Sequence, residues 1–325
     1  MLFKRRYEQD LQLIQTPQAW VAFSLLVLAL LALPWLLPGY LIYNTTLFLA
    51  YALVAVSLAV LVGFTGQVSL GHAGFLAAGA YTVAYLGSIG WPFLLALLAA
   101  MAVTGVLGLI IGVPALRLEG PYLAIATLGF GLAIQQILNN WPLVGASTGI
   151  LVDRPTILGI DFWSDRNFYY LALVITGLAL WGCFNLSRSH MGRAFRAVRD
   201  ADLAAQMSGI NLSYAKTLAF VLSAMLGGLA GGIYGPLVGY LTPDGFNLLL
   251  SIKFLLMTIV GGLGFLPGAI IGAAFVTGIE VWLSSLRNWS QFVFGVVVIF
   301  LMVVEPLGLY GRWLKIRQFW KTWPL

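Results

Sequence analysis

Residues 187–216 read SRSHMGRAFRAVRDADLAAQMSGINLSYAK and form the one long charged stretch in a chain of 325 residues. On both sides of this charged segment the sequence is almost continuously apolar. Of all residues, 61% are hydrophobic and only 9% are charged, whereas about a quarter of the residues in soluble domains are charged. Apolar runs of about 20 residues, the length that crosses a bilayer as a helix, recur throughout. The sequence therefore predicts an all-α, polytopic membrane protein with a single transmembrane domain over residues 1–325.

About ten transmembrane helices are predicted, and the first is expected to be retained, because no small-residue cleavage site follows it. Residues 63–74, glycine-rich and lightly polar, separate the second helix from the third; the alternative is that they form a re-entrant segment. At membrane depth such a stretch must be buried in protein or line a wet cavity, because its backbone groups cannot face lipid unpaired. The predicted spans are approximately 20–37, 40–62, 75–89, 91–114, 121–138, 168–186, 218–241, 247–264, 268–284 and 291–304.

The basic residues predict the orientation in the membrane. With ten spans and both termini in the cytoplasm, all but four of the 17 Lys and Arg residues lie on the cytoplasmic side, as the positive-inside rule requires. They include Lys4, Arg5 and Arg6 in a polar N-terminal lead, and four residues in a basic tail, 305–325, after the last span. The exceptions are Arg154, Arg166 and Arg287 on the other side and Lys253 within a span. The net charge of +6 is thus concentrated beside the membrane, and we expect no nucleic-acid partner.

On a helix, the residues from Arg193 to Met207 separate into two faces. One face carries small apolar side chains, and the other carries the charges together with Phe195, Leu203 and Met207. Gly209 stands where a glycine commonly ends a helix. A solvated helix explains the charges, whereas a partner protein would also explain the three apolar residues among them. The small apolar face consists of Ala194, Ala197, Val198, Ala201, Ala204 and Ala205.

Two glycine-rich stretches each follow a span predicted to run from outside to inside. Residues 63–74 read GFTGQVSLGHAG, and residues 260–264 read VGGLG. Glycine-interrupted segments in both halves of a membrane protein are a pointer to a transport pathway. The alternative is that glycine recurs wherever helices pack tightly. The pathway hypothesis names as candidate lining residues Gly66, Gln67, Ser69, His72, Gly261, Gly262 and Gly264.

Two charged residues fall inside predicted spans, where a charge is costly and is usually paired. Lys253 and Glu280 belong to neighbouring antiparallel spans and are expected at similar depth, a few residues from the outer face. We predict that they form an ion pair. The alternative is that each side chain extends separately to the outer interface.

The sequence carries no recognisable enzyme motif. It lacks a P-loop, a His-Glu-x-x-His helix and a Gly-x-Ser-x-Gly turn. Its single cysteine, Cys183, lies in an apolar run, which excludes a disulfide framework and a cysteine metal site. We therefore expect a protein that is not an enzyme, with no catalytic residue, no metal and no cofactor in this chain.

Five short sequence motifs are spread over most of residues 60–275. They are GQVSLGHAGF at 66–75, GPYLAIATLGF at 120–130, GRAFRAVRD at 192–200, KTLAF at 216–220 and VGGLG at 260–264. In combination they resemble the permeases of branched-chain amino acid ABC importers, of the LivM type in the LivH/LivM family. The loop at residues 143–150 and Lys253 depart from the pattern of that family.

The resemblance implies a multi-pass permease, embedded in lipid in the inner or plasma membrane of a bacterium or archaeon. Its expected partners are a second, LivH-like permease, two cytoplasmic ATPase subunits that bind the ATP, and a periplasmic or extracellular binding protein that delivers the substrate. The charged segment matches the cytoplasmic segment that docks on the ATPase in this family. The residues expected at this coupling contact are Arg193, Phe195, Arg196, Arg199, Asp200, Leu203, Met207 and Gly209.

The resemblance leaves the substrate open. Branched-chain or other hydrophobic or neutral amino acids come first, and urea or short amides are alternatives within the same class of importer. An autonomous secondary transporter is an alternative of a different class. Such a protein would be expected to carry acidic ion-relay residues within its spans, and only Glu280 clearly fits that description.

Overall fold

The computed structural model describes residues 17–118, 120–157, 159–283, 290–304 and 308–322. The predicted N-terminal lead with Lys4, Arg5 and Arg6 lies outside these residues, and so does Arg287. Within the described ranges the chain is almost entirely helical, as its apolar runs predict.

The helices are numbered in chain order. They are α1 (Pro17–Leu36), α2 (Gly39–Leu58), α3 (His72–Ser88), α4 (Phe93–Ala115), α5 (Pro121–Asn140), α6 (Asp165–Arg188), α7 (His190–Asp200), α8 (Asp202–Met207), α9 (Leu212–Val238), α10 (Leu248–Gly261), α11 (Leu266–Leu283), α12 (Ser290–Val304) and α13 (Gly308–Thr322). A π-helical turn, Ala59–Gly63, extends α2. The short strands are β1 (Ile150–Leu151), β2 (Thr156–Ile157), β3 (Ile160–Asp161) and β4 (Tyr240–Leu241).

Six helical segments among the described residues are long and apolar enough to cross a membrane: Gly39–Gly63, Phe93–Ala115, Pro121–Asn140, Asp165–Arg188, Leu212–Val238 and Leu266–Leu283. Two shorter apolar helical segments in the same ranges are Ser24–Leu36, within α1, and α10. The all-α, multi-pass class is thereby confirmed. The count of ten spans and the cytoplasmic position of both termini stay predictions.

Helix α9 forms the centre of the helix bundle, where it packs against α2, α3 and α4. Small residues let these backbones approach closely, which is the main mode of packing between helices in lipid. A Cβ added to Gly79 on α3 would overlap the backbone of Gly228 on α9, and a Cβ added to Gly228 would overlap Thr104 on α4. Glycine is therefore required where the three helices meet.

Helices α10 and α11 form a tight hairpin that also packs on α2. A Cβ on Gly261, at the end of α10, would overlap the backbone of Gly268 at the start of α11, and the reverse is also true. The turn between the two helices runs through Gly262 and Gly264, whose φ angles of 117° and 90° favour glycine. This part of the VGGLG stretch thus makes a close hairpin possible.

The two ends of the helix bundle differ in chemistry. At one end, which we call the charged end, α7 lies beside the end of α2 and the α10–α11 turn. At the opposite end, Ile150 of β1 pairs with Leu241 of β4, and Arg154 forms an ion pair with Asp165 at 2.6 Å. At this end the connection between α5 and α6 consists of short strands and 3-10 turns, and not of long helices.

Helix α13 was not foreseen, because the sequence predicts only a basic tail after the last span. It begins at Gly308, where a side chain would overlap the backbone of Gly262 in the α10–α11 turn. The rings of Phe265 and Tyr310 lie 5.3 Å apart between their centroids. The start of α13 is thus held at the charged end.

Candidate functional site

The charged segment leaves α6 through a sharp turn. The Ser189 Oγ caps α7 by accepting a hydrogen bond from the backbone N–H of Gly192 at 3.2 Å. A Cβ at Gly192 would overlap the carbonyl of Leu186 and the backbone of Ser187. Glycine at position 192 therefore allows α7 to fold back against the end of α6.

The inner face of α7 is buried against α6 and α9. Ala194, Phe195 and Val198 are 7%, 0% and 2% exposed. The expectation that Phe195 lies exposed among the charges is therefore wrong. Because α7 packs against two neighbouring helices at once, its buried face is wider than the alanine stripe, and Phe195 is the residue that anchors it.

The single helix predicted from Arg193 to Met207 is in fact two helices. Ala201 has extended backbone angles, φ −165° and ψ 110°, and separates α7 from α8. The chain changes direction there, so Ala201 and Ala204, which were expected on the buried stripe, are exposed. The Asp202 carboxylate at the start of α8 forms an ion pair with Lys216 on α9, a tertiary contact that the helical periodicity could not include.

Helix α8 presents two large apolar side chains to solvent. Leu203 is 77% exposed and Met207 is 92% exposed, and their spacing of four residues places them on one face. Gly209, with φ 82°, ends the helix as predicted. The Gly209 N–H donates to Gln206 O at 3.0 Å, and the next N–H, of Ile210, reaches the carbonyl of Ala205 at 3.1 Å, which is the Schellman arrangement.

Arg199 joins the charged segment to both glycine-rich stretches. Its Nη1 donates a hydrogen bond to the carbonyl oxygen of Gly63 at 2.5 Å. Its Cγ would lie 3.7 Å from a Cβ added to Gly66, and its Nη1 would lie 2.5 Å from a Cβ added to Gly264. Gly63 and Gly264 also meet directly, because a Cβ on Gly63 would lie 2.7 Å from the backbone nitrogen of Gly264. One guanidinium therefore bridges the end of α2 and the α10–α11 turn.

Two further arginines hold α7 to the turn that precedes it. Arg193 Nη1 donates to the carbonyl of Arg188 at 2.9 Å, and Arg196 Nη2 donates to the carbonyl of Ser187 at 2.5 Å. The Arg196 guanidinium also lies 5.9 Å from the centroid of the Phe64 ring. Arg193, Arg196 and the neighbouring Asp200 are exposed residues, which leaves them accessible to a partner.

A buried chain of polar groups lies among the helices beyond this site. His72 is 0% exposed, with Nδ1 3.0 Å from Ser69 Oγ and Nε2 2.8 Å from Ser223 Oγ. The Ser223 hydroxyl donates to the carbonyl of Ser57 at 2.8 Å, so its oxygen is left to accept from Nε2–H. Nε2 therefore carries a proton, and in the neutral imidazole Nδ1 is the acceptor for the Ser69 hydroxyl.

The connection between α2 and α3 is held by side chains of other helices. Thr127 Oγ1 accepts from the N–H of Leu70 at 3.0 Å, and Ser251 Oγ accepts from the N–H of Ala73 at 3.0 Å. Gln67 is 5% exposed, and Ser69 is 0% exposed. A polar stretch at membrane depth is either buried in protein or lines a wet cavity. For these groups the structure shows burial in protein, in the packed connection between α2 and α3.

The predicted contact between Lys253 and Glu280 is present, with 2.6 Å between Nζ and Oε2. The Lys253 ammonium also lies 4.6 Å from the centroid of the Tyr51 ring. Tyr51 is the central residue of the 25-residue helical segment Gly39–Gly63. On their own helices, Lys253 is the sixth residue of α10 and Glu280 lies three residues before Leu283 at the end of α11, so the pair lies near one end of this helical hairpin, as expected.

Sequence reasoning missed the residues that complete these clusters: Tyr51, Ser57, Thr127, Ser223 and Ser251. The only local signal is a hydroxyl inside an apolar run, where every polar group needs a partner, and that signal does not name the partner. In the part of the chain that the structure describes, no three His, Cys, Asp or Glu residues lie close enough to hold a metal ion.

Known proteins resemble the chain over most of its length. The family model described as "Branched-chain amino acid transport system / permease component" matches residues 40–302. The chain is 31% identical over 312 residues to the high-affinity branched-chain amino acid transport system permease protein LivM of Salmonella typhimurium, covering 88% of this chain and 73% of that protein. LivM of Escherichia coli gives the same values. The autoinducer 2 import system permease protein LsrC of an Enterobacter species is 27% identical over 247 residues, covering 71% of this chain and 70% of that protein. No solved structure matches the chain.

Proposed function

This chain belongs to the family of permease components of branched-chain amino acid transport systems, and we propose that it is the LivM-type subunit of an ABC importer. In this proposal it pairs in the membrane with a second, LivH-like permease and receives its substrate from an external binding protein. Two cytoplasmic ATPases supply the energy, and this chain opens a path alternately to the two sides of the membrane. The charged end then faces the cytoplasm.

The observation that carries the proposal is the contact of Arg199 with Gly63 and Gly264. A subunit driven by an external ATPase needs a surface that takes up a displacement and a rigid connection into the membrane helices. Arg199 belongs to the charged segment, while Gly63 ends α2 and Gly264 lies in the α10–α11 turn. A displacement of α7 would therefore reach three helices, α2, α10 and α11, through one side chain.

We place the ATPase contact on α8 and on the exposed side of α7. Leu203 and Met207 form an apolar pair on α8, and Arg193, Arg196 and Asp200 are exposed on α7. An apolar centre with a charged rim is the usual composition of a protein interface. Phe195 does not contact the ATPase in this proposal. Its buried ring holds α7 against the bundle.

In the proposed cycle, closure of the ATPases on ATP displaces α8 and α7 together. The ion pair of Asp202 with Lys216 transmits part of this displacement to α9. The hydrogen bond from Arg199 transmits another part to the end of α2. Glycines at the α10–α11 turn provide the backbone freedom that a hinge requires, so the helices can tilt while their close contacts persist.

We propose a branched-chain or another hydrophobic neutral amino acid as the substrate, on the basis of the LivM relatives. Autoinducer 2 is a second candidate substrate, because the similarity to LsrC extends over 71% of this chain, although the identity is lower, at 27%. The binding protein is expected to make most of the selection, so the permease alone discriminates weakly between the two.

Reconstitution of the chain in proteoliposomes with the second permease, the two ATPases and the binding protein tests the proposal. We expect leucine uptake that requires ATP and every one of the other components. Uptake by this chain without any ATPase would overturn the proposal in favour of a secondary transporter. Uptake of autoinducer 2 without uptake of leucine would select the second candidate.

A further inference from the structure

The ion pair of Lys253 and Glu280 lies within apolar helices, where a charge is costly. The Lys253 ammonium is 4.6 Å from the ring centroid of Tyr51, the central residue of the helical segment Gly39–Gly63. Lys253 lies five residues after the start of α10, and Glu280 lies three residues before the end of α11, so both charges are inside the apolar helical hairpin. An ionisable residue in such a position usually faces a wet cavity or another protein and marks a functional site.

The pair is not sealed inside this chain. The Lys253 side chain is 19% exposed and the Glu280 side chain is 38% exposed. A carboxylate accepts at two oxygens and an ammonium donates three hydrogens, so the contact of 2.6 Å occupies only part of the capacity of each group. The remaining capacity suits a ligand that brings one positive and one negative group together.

We propose that Lys253 and Glu280 form a zwitterion-binding site in the translocation path. The ammonium of Lys253 binds the α-carboxylate of an amino acid, and the carboxylate of Glu280 binds its α-ammonium. When the site is empty, the two side chains pair with each other. The net charge is zero in both states, which avoids an unpaired charge in a low dielectric. This inference rests on the proposed function and adds the substrate-contacting residues to it.

The surroundings of the pair suit a hydrocarbon side chain. The Tyr51 ring packs edge-on against Phe254 at 5.2 Å and stacks with Tyr234 at 6.2 Å, between centroids. Thr277 precedes Glu280 by three residues on the same helix face, and its buried hydroxyl has no hydrogen-bond partner among the described residues. Aromatic surface beside a paired ammonium and carboxylate favours neutral amino acids with apolar side chains over charged ones.

Leucine uptake by the complete reconstituted transporter tests the site. The double variant Lys253→Met with Glu280→Gln removes both charges and keeps the approximate volumes. We expect uptake to fall about tenfold or more. An assembled double variant whose uptake stays within about twofold of the wild type would overturn the inference. The wild-type complex separates the two proposals, because its failure to take up leucine would instead contradict the proposed function.

Thiol labelling supplies a second measurement that does not depend on the activity of the double variant. Cys183, the only cysteine of the chain, is buried, so Cys183→Ser gives a background without cysteine. In that background, Glu280→Cys is treated with a charged, membrane-impermeant methanethiosulfonate in the ATP-free and ATP-bound complexes. We expect labelling in at least one state, as for an exposed reference away from the proposed ATPase contact, Asp153→Cys. If Glu280→Cys is not labelled in either state while the reference is labelled, position 280 contacts lipid or a partner and not water. That result would overturn the inference.

Discussion

Arg199 Nη1 and the carbonyl oxygen of Gly63 are 2.5 Å apart, although 136 residues separate them in the chain. The hydrogen bond connects a helix of the charged segment to the end of a buried membrane-length helix. Since Gly264 packs against both partners, the contact also includes the α10–α11 turn. The charged segment is thus part of the bundle at its inner face and accessible at its outer face, and the predictions below separate these two roles.

Replacing Arg199 with Met should uncouple the transporter. The variant loses the donor to a buried carbonyl, and leaving such a group unpaired costs about 1–3 kcal/mol. We expect a decrease in leucine uptake of about fivefold or more at unchanged ATP hydrolysis by the complex. Arg199→Lys keeps one donor and should retain more uptake than Arg199→Met. Full uptake in the Met variant would remove Arg199 from the coupling path.

Introducing charge on the exposed face of α8 should block ATPase docking. Leu203→Asp and Met207→Asp each add a carboxylate to an apolar pair that is already exposed, so the fold of the subunit should persist. We expect the ATPases to be lost when the permease is purified by affinity from membranes. Gln206→Asp, at an exposed polar position of the same helix, is the matched control and should keep them.

Replacing Phe195 should lower the stability of the subunit, whereas replacing Leu203 should leave its fold intact. Its ring is 0% exposed, so Phe195→Ala creates a cavity under α7 and should lower the free energy of unfolding by about 3–5 kcal/mol. The measurement is the thermal midpoint of the purified subunit in detergent. A variant of normal stability that fails only in ATPase binding would contradict the buried role.

A small side chain at Gly79 should disrupt the centre of the bundle. Its Cβ position overlaps the backbone of Gly228, which cannot give way as a flexible side chain does, so Gly79→Ala should reduce the amount of folded protein in the membrane. Gly177 on α6 has open space at its Cβ position, and Gly177→Ala is the matched control. Equal amounts of folded protein, judged by size-exclusion chromatography of detergent extracts, would refute the close contact.

Removing the imidazole of His72 should destabilise the subunit without affecting its insertion. His72→Ala removes one hydrogen bond from each of the buried hydroxyls of Ser69 and Ser223, and each bond contributes about 0.5–1.5 kcal/mol. The thermal midpoint in detergent should fall accordingly. His190 is exposed, and His190→Ala should leave the midpoint unchanged. Equal midpoints for the two variants would show that the polar chain contributes no stability.

The membrane character and the approximate position of nearly every helix follow from the sequence, because helix length and hydrophobicity are local properties of an apolar run. Gly209 ended its helix as expected, since a left-handed residue is needed there whatever surrounds it. Lys253 and Glu280 were paired correctly, because two opposite charges in adjacent spans have few other partners. The resemblance to the permease family, carried by five short motifs, is confirmed over residues 40–302.

Only the tertiary structure decided how the charged segment is used. Helical periodicity predicted an exposed Phe195 and one continuous helix through Ala201, because it assumes that a helix packs against a single neighbour. In the folded chain α7 packs against both α6 and α9, which buries Phe195, and the chain breaks before α8. The hydrogen bond from Arg199 to Gly63 and the contact of Lys253 with the Tyr51 ring likewise depend on residues far apart in sequence. Such contacts are set by how the helices pack, and no local pattern encodes them.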